Sequence, residues 1–138
     1  MIRHRMGLVH ATVTVFSSDY ARSENVRLLV DTGSTLTWIP EDLATRLGLR
    51  PTGIAEFRTA DDRSVERPIA DVPIECEGVR GVVRIAFARP GDAIVLGVTA
   101  LETLAFEVDP VGRRLRRVDR YLALAGRAYT PRGSVITP

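Results

Sequence analysis

Leu28-Leu29-Val30-Asp31-Thr32-Gly33-Ser34-Thr35-Leu36-Thr37-Trp38-Ile39-Pro40 is the stretch around which the chain is organised. Three aliphatic residues run into Asp-Thr-Gly, and small hydroxyl residues, an aromatic and a proline follow. A continuous apolar run ended by turn residues fits a strand covered on both faces. The reading therefore predicts a buried strand over Val26 to Val30 that delivers Asp31 to the edge of a core. A carboxylate placed there must have its desolvation offset by hydrogen bonds, or be put to use. Gly33 permits a tight turn, and Thr32 and Ser34 supply hydroxyl groups. Asp31 to Ser34 is thus a candidate active-site loop, set against the plainer reading of Asp31 as a turn or cap residue.

Upstream, Leu8 to Phe16 alternates, with Val9, Ala11, Val13 and Val15 on one face and His10, Thr12 and Thr14 on the other. That is the pattern of a half-buried strand. Downstream, Pro40 to Gly48 has a proline at its start, acids in the first turn and a glycine at its end, which predicts a short helix. Ile54 to Ala60 and Val65 to Ala70 flank Asp61-Asp62-Arg63-Ser64 and predict a hairpin with a polar tip. Val72 to Glu77 and Val79 to Ala88 read as two further strands, with Gly81 marking a bulge or bend. Ala93 to Gly97 reads as a short apolar strand after the turn Arg89 to Asp92. Thr99-Ala100-Leu101-Glu102 has the spacing of a capping box and opens a second short helix. Phe106 to Asp109 and Arg114 to Val118 predict a closing hairpin, Asp119 to Ala128 a helix, and Tyr129 to Pro138 an extended end. Short strands with two small helices and no βα alternation predict an all-β, closed, barrel-like domain.

Composition sets the outer limits. The chain has 138 residues, 45% hydrophobic and 26% charged, which suits one soluble globular domain. No apolar run approaches the roughly 20 residues of a membrane span, and no signal-peptide pattern follows Met1 to Gly7. A cytoplasmic protein without a membrane partner is expected. All 19 basic residues are arginine. Residues 111–138 hold 7 of them against Asp119 alone, whereas residues 1–110 hold 12 against 16 acids. Such a basic end can meet nucleic acid. Only Tyr121 and Tyr129 offer stacking there, so a solvated face is the preferred reading and a nucleic-acid partner is not expected.

Other chemistries lack their residues. His4 and His10 are the only histidines, and His10, set among apolar neighbours in its strand, reads as structural rather than as a base. The single cysteine, Cys76, reads as a small buried hydrophobe. Neither a metal site nor a cofactor is expected, since zinc-ligand spacing, a Walker loop and a dinucleotide-binding glycine pattern are all missing.

Asp31-Thr32-Gly33-Ser34 followed by Trp38-Ile39-Pro40 resembles the active-site signature of aspartic proteases. Ile94-Val95-Leu96-Gly97 and the helix after it resemble the apolar strand and helix that pass behind that loop in such enzymes, and the hairpin at Asp61 to Ser64 falls where their substrate-covering flap belongs. The order resembles a retroviral-type, single-lobe aspartic protease over about residues 1–118, and small prokaryotic members of that clan in particular. Residues 119–138 form a basic tail outside the resemblance.

The resemblance implies a retropepsin-type fold and hydrolysis of peptide bonds by two carboxylates and a water. The chain has one Asp-Thr-Gly, so a homodimer is implied, with Asp31 contributed by each copy. By the same resemblance Thr32 bonds across the two-fold axis, Gly33 contacts a peptide or protein substrate, and Ser34 hydrogen-bonds the Asp31 carboxylate. Ser34 and the flap tip Asp61, Asp62, Arg63 and Ser64 are then the substrate-binding residues. Viral flaps are rich in glycine and this tip is charged. That departure favours altered substrates, or the alternative of a catalytically inactive dimerisation or peptide-binding module.

Overall fold

The structure is a computed structural model that describes residues 8–118 and 131–133. The expected helix at Asp119 to Ala128 lies outside the described residues, as does all but 131–133 of the expected extended end. The described chain forms β1 (His10–Phe16), β2 (Ser23–Val30), β3 (Thr37–Pro40), α1 (Glu41–Arg46), β4 (Gly53–Arg58), β5 (Ser64–Cys76), β6 (Val79–Ala88), β7 (Val95–Leu96), α2 (Val98–Leu104), β8 (Phe106–Asp109) and β9 (Arg114–Arg117).

Strands β1 to β7 make one sheet in the order β1-β2-β7-β3-β6-β5-β4, and β1 also pairs with β5. That extra pairing closes β1, β2, β7, β3, β6 and β5 into a ring and leaves β4 outside it, hydrogen-bonded to β5 alone. Closure removes the unpaired strand edges that an open sheet exposes. The all-β, barrel-like retropepsin-type fold expected from the sequence is what the chain adopts. The alternation in β1 works as read: Ala11, Val13 and Val15 are buried, while His10 and Thr12 face solvent. They meet Leu28, Ile39, Ile74, Ile85 and Leu96, each fully buried. Burying one such side chain contributes about 1.5–3 kcal/mol, so the barrel interior is the main source of stability.

Several local expectations are corrected. β5 is one strand of 13 residues rather than two. Its ladder with β6 runs without a break from Ile69↔Ala86 to Cys76↔Val79, with Pro73 inside it. Proline keeps an extended φ and removes one donor, which does not end a strand held by its neighbours. Gly81 makes no bulge, for it pairs in register with Ile74. A Cβ there would lie 2.8 Å from a Leu104 methyl, so close approach of α2 is what its small size permits. The capping box does not form either. α2 begins one residue earlier, after Gly97, with no side-chain cap, and the Thr99 hydroxyl donates to the Thr35 carbonyl instead, at 2.6 Å. His10 is exposed at the start of β1 rather than packed among apolar neighbours. The strand β3 is an addition, for no element is expected from the sequence between the Asp31 loop and the helix starting at Pro40.

Candidate active site

β7 lies between β2 and β3, parallel to the first and antiparallel to the second. The segment from Asp31 to Leu36, which joins β2 to β3, must therefore cross the end of β7. Its geometry follows from that crossing. The Asp31 N–H donates to the Leu96 carbonyl at 2.9 Å, the Val98 N–H to the Ser34 carbonyl at 2.8 Å and the Thr99 N–H to the Thr35 carbonyl at 3.2 Å. Gly97 passes directly beneath the loop, and a Cβ built on it would stand 2.2 Å from the Leu36 carbonyl oxygen. That is backbone against backbone, with no rotamer to relieve it, so only glycine fits.

Thr37 adds a second clamp. It is fully buried, and its hydroxyl accepts the Gly97 N–H at 3.0 Å. A buried donor left without a partner costs about 1–3 kcal/mol, so this side chain contributes to the loop as well as to the core. The flanking signal is in the composition: Thr37-Trp38-Ile39 is a β-branched, aromatic, β-branched run, which favours a strand.

Within the loop, the Gly33 N–H donates to Asp31 Oδ1 at 2.9 Å and the Ser34 N–H to the Asp31 carbonyl at 3.1 Å. The Ser34 hydroxyl points elsewhere, to the Leu36 carbonyl at 2.7 Å. It therefore holds the loop's own backbone, and the expected bond to the Asp31 carboxylate is replaced by one from Gly33. Asp31, Thr32 and Gly33 are exposed and Ser34 is half-buried.

The opposite wall is the β4–β5 hairpin, closed by the turn Thr59 to Arg63. Thr59 and Arg63 exchange backbone and side-chain bonds, including the Thr59 N–H to the Arg63 carbonyl at 2.7 Å. The Thr59 hydroxyl also donates to Asp61, and this bond, aided by Asp61's own N–H and Arg63, holds the Asp61 carboxyl below its usual range against the opposing effect of desolvation. Arg58 pairs with Asp62 at 2.6 Å and Arg63 with Asp61 at 2.8 Å. The tip is braced by its own charges. Trp38 on β3 meets Phe57 on β4 edge-on, with centroids 4.8 Å apart, and joins the two walls.

Between the walls lies a cleft of about 680 Å³. Asp31, Gly33 and Ser34 line it from the loop, and Arg58, Thr59, Ala60 and Arg63 from the hairpin. Of the residues expected to meet at this site, Asp61, Asp62, Ser64 and Thr32 are not part of this lining. Asp61 and Asp62 sit at the outside of the turn, and Ser64 is already the first residue of β5.

Two residues that sequence reasoning passed over, Arg67 and Asp92, also line the cleft. Arg67 Nε and Nη2 donate to the two Asp92 oxygens at 2.7 and 2.9 Å, and the Arg89 N–H adds a third bond at 2.9 Å. The Arg67 guanidinium keeps the Asp92 carboxyl below its ordinary range, outweighing the burial that pushes it up. These residues stand far apart in the chain, so nothing local in the sequence joins them. Cys76 is buried, which pushes its thiol up to about 11 and leaves it unreactive at neutral pH. Among the described residues no group of His, Cys, Asp and Glu side chains is arranged to hold a metal ion, and no helix is long and apolar enough to cross a membrane.

Of the two carboxylates that line the cleft, Asp92 is ion-paired and, among the described residues, the Asp31 carboxylate accepts only the Gly33 N–H, with further backbone groups of the loop beside it. A family model described as aspartyl protease matches residues 11–100. No curated protein matches the chain. The chain belongs to the aspartyl protease family, in its retropepsin-like clan.

Proposed function

We propose that this aspartyl protease family member is a homodimeric endopeptidase whose active site is completed by Asp31 from each of two copies. The observation that carries the reading is the state of the two cleft carboxylates. Asp92 is committed to Arg67 and the Arg89 backbone, which leaves Asp31 as the free acid of the cleft on its own chain. Peptide hydrolysis by carboxylates needs two of them. One, ionised, takes a proton from water, and the other, protonated, polarises the scissile carbonyl. Two adjacent carboxylates cannot both ionise, so they share a proton, behaviour for which aspartic proteases are the standard case. A two-fold axis close to the exposed Asp31 and Thr32 supplies the second carboxylate without a second motif.

In this reading Asp31 is the catalytic residue, Thr32 joins the two loops across the axis, and the Gly33 backbone meets the substrate. Ser34 keeps the loop in shape through Leu36. Arg63, with Arg58 and Thr59, lines the covering wall, and Asp61, Asp62 and Ser64 act on substrate through the shape of the turn.

Asp31→Asn tests the proposal. Cleavage of a peptide library is expected to fall by about 10²–10⁴-fold or more, the scale of a lost general acid–base group. Sedimentation should still show a dimer. Undiminished cleavage by that variant would refute the role of Asp31. The charged, braced flap supports a second reading, a peptide-binding module without catalysis. Its mark is the absence of any cut between about pH 3 and 7, where a carboxylate pair holds one proton.

A further inference from the structure

The cleft carries an unequal charge, three arginines against two aspartates. One pair of these is closed. Arg67 and Asp92 meet through two bonds, with side-chain exposures of only 13% and 19%, and neither is free to meet a ligand. Arg58 and Arg63 are different. Both line the cleft, yet their carboxylate partners Asp62 and Asp61 do not. Both arginine side chains are 75% exposed. An exposed ion pair is held weakly, so a carboxylate arriving from the cleft side can join or replace the outer partner at little cost. A guanidinium presents five donors in a fork, and the bonds made here leave part of that fork unused.

The spacing of the covering wall adds an apolar element. Arg63 and Val65 line the cleft two positions apart on the covering wall, so an available cation stands beside an aliphatic side chain, while Arg67, at the next alternate position, is taken up by Asp92. Trp38 and Val95 face the same space from the barrel side. A ligand that satisfies this surface carries an acidic side chain close to an apolar one.

We propose that the cleft selects peptides bearing Asp or Glu close to the apolar residue at the cleavage point, with Arg58 and Arg63 as the specificity-determining residues. The substrate part of this proposal rests on the endopeptidase reading above; the binding part does not. The remaining negative charge of the cleft, Asp31, lies on the opposite wall, so an acidic side chain directed at the flap avoids it.

The experiment has two arms on the full chain. In the first, the Asp31→Asn protein is titrated with fluorescein-labelled decapeptides that share a central Phe-Leu and differ only in Glu or Gln at flanking positions. At least one Glu peptide should bind about threefold or more tightly than its Gln partner, and the gap should close near 0.5 M salt, where exposed charges are screened. Arg58→Gln with Arg63→Gln should abolish the gap at low salt, whereas the paired Asp61→Asn and Asp62→Asn variant should widen it by freeing both cations. Equal binding of Glu and Gln peptides, absence of binding, or a gap that survives loss of both arginines overturns the proposal. In the second arm, wild-type protein is given a peptide library and its cuts are sequenced. Cuts without enrichment of acids overturn the acidic preference and leave the endopeptidase reading standing. Acid-selective binding in the first arm without any cut in the second supports the selection and overturns the endopeptidase reading.

Discussion

The two walls of the cleft keep their shape by different means. The Asp31 loop is fixed by backbone bonds to β7 and α2, by a buried threonine and by a glycine with no space for a methyl group. In the flap hairpin β4 lies outside the ring, paired with β5 alone, and the tip is shaped by exposed ion pairs and the Thr59 bonds. Buried backbone contacts tolerate almost no change, whereas solvated pairs are individually worth little. One wall is thus suited to holding a reacting group, and the other to varying what it admits.

Substitutions can break that contrast, beginning with the largest effect. Gly97→Ala forces a Cβ onto the Leu36 carbonyl and should lower stability by about 3 kcal/mol or more, the scale of severe overpacking. Urea unfolding would show it, and a midpoint close to wild type would mean that the crossing is not rigid. Thr37→Val keeps the shape but removes the acceptor of the Gly97 N–H. A loss of about 1–3 kcal/mol is expected, with peptide cleavage falling alongside because the same bond positions the loop.

Asp92→Asn probes the seam between the walls, at a cost of about 1–2 kcal/mol near neutral pH. Because the folded carboxyl titrates below its ordinary value, its contribution is fully present above about pH 4 and is lost as the pH falls through the folded pKa. Wild-type stability should drop along that acid limb, and the variant should drop less. Identical pH profiles would mean that the pair does not contribute. The smallest effect belongs to Asp62→Asn at the flap tip. Its denaturation midpoint should coincide with that of wild type, and a clear shift would show the flap to be as firmly built as the loop.

The sequence reported the two walls with unequal clarity. The Asp31 loop and Gly97 were readable because each ends a short apolar run, Leu28 to Val30 in one case and Ile94 to Leu96 in the other. The hairpin was readable from its polar tip, but not its extent, since Asp71 interrupts the apolar pattern and the closed sheet pairs it in register with Arg84. Thr99 and Glu102 have capping spacing, yet the Thr35 carbonyl competes for the threonine hydroxyl and wins. Ser34 was assigned to the Asp31 carboxylate, and the Leu36 carbonyl took it instead. In each case a group distant in sequence, or a geometry set by the loop crossing, outweighed a local preference.

By itself the sequence determined most of the strand pattern, the all-β class and the position of the candidate acid. These depend on periodicity, side-chain shape and backbone freedom, which act over a few residues. Only the tertiary structure decided that β7 threads between β2 and β3, that Thr37 clamps Gly97, and that Arg67 removes Asp92 from the reckoning. Those outcomes depend on sheet closure, which brings together groups such as Thr37 and Gly97, 60 residues apart, and no local pattern encodes which of them will meet.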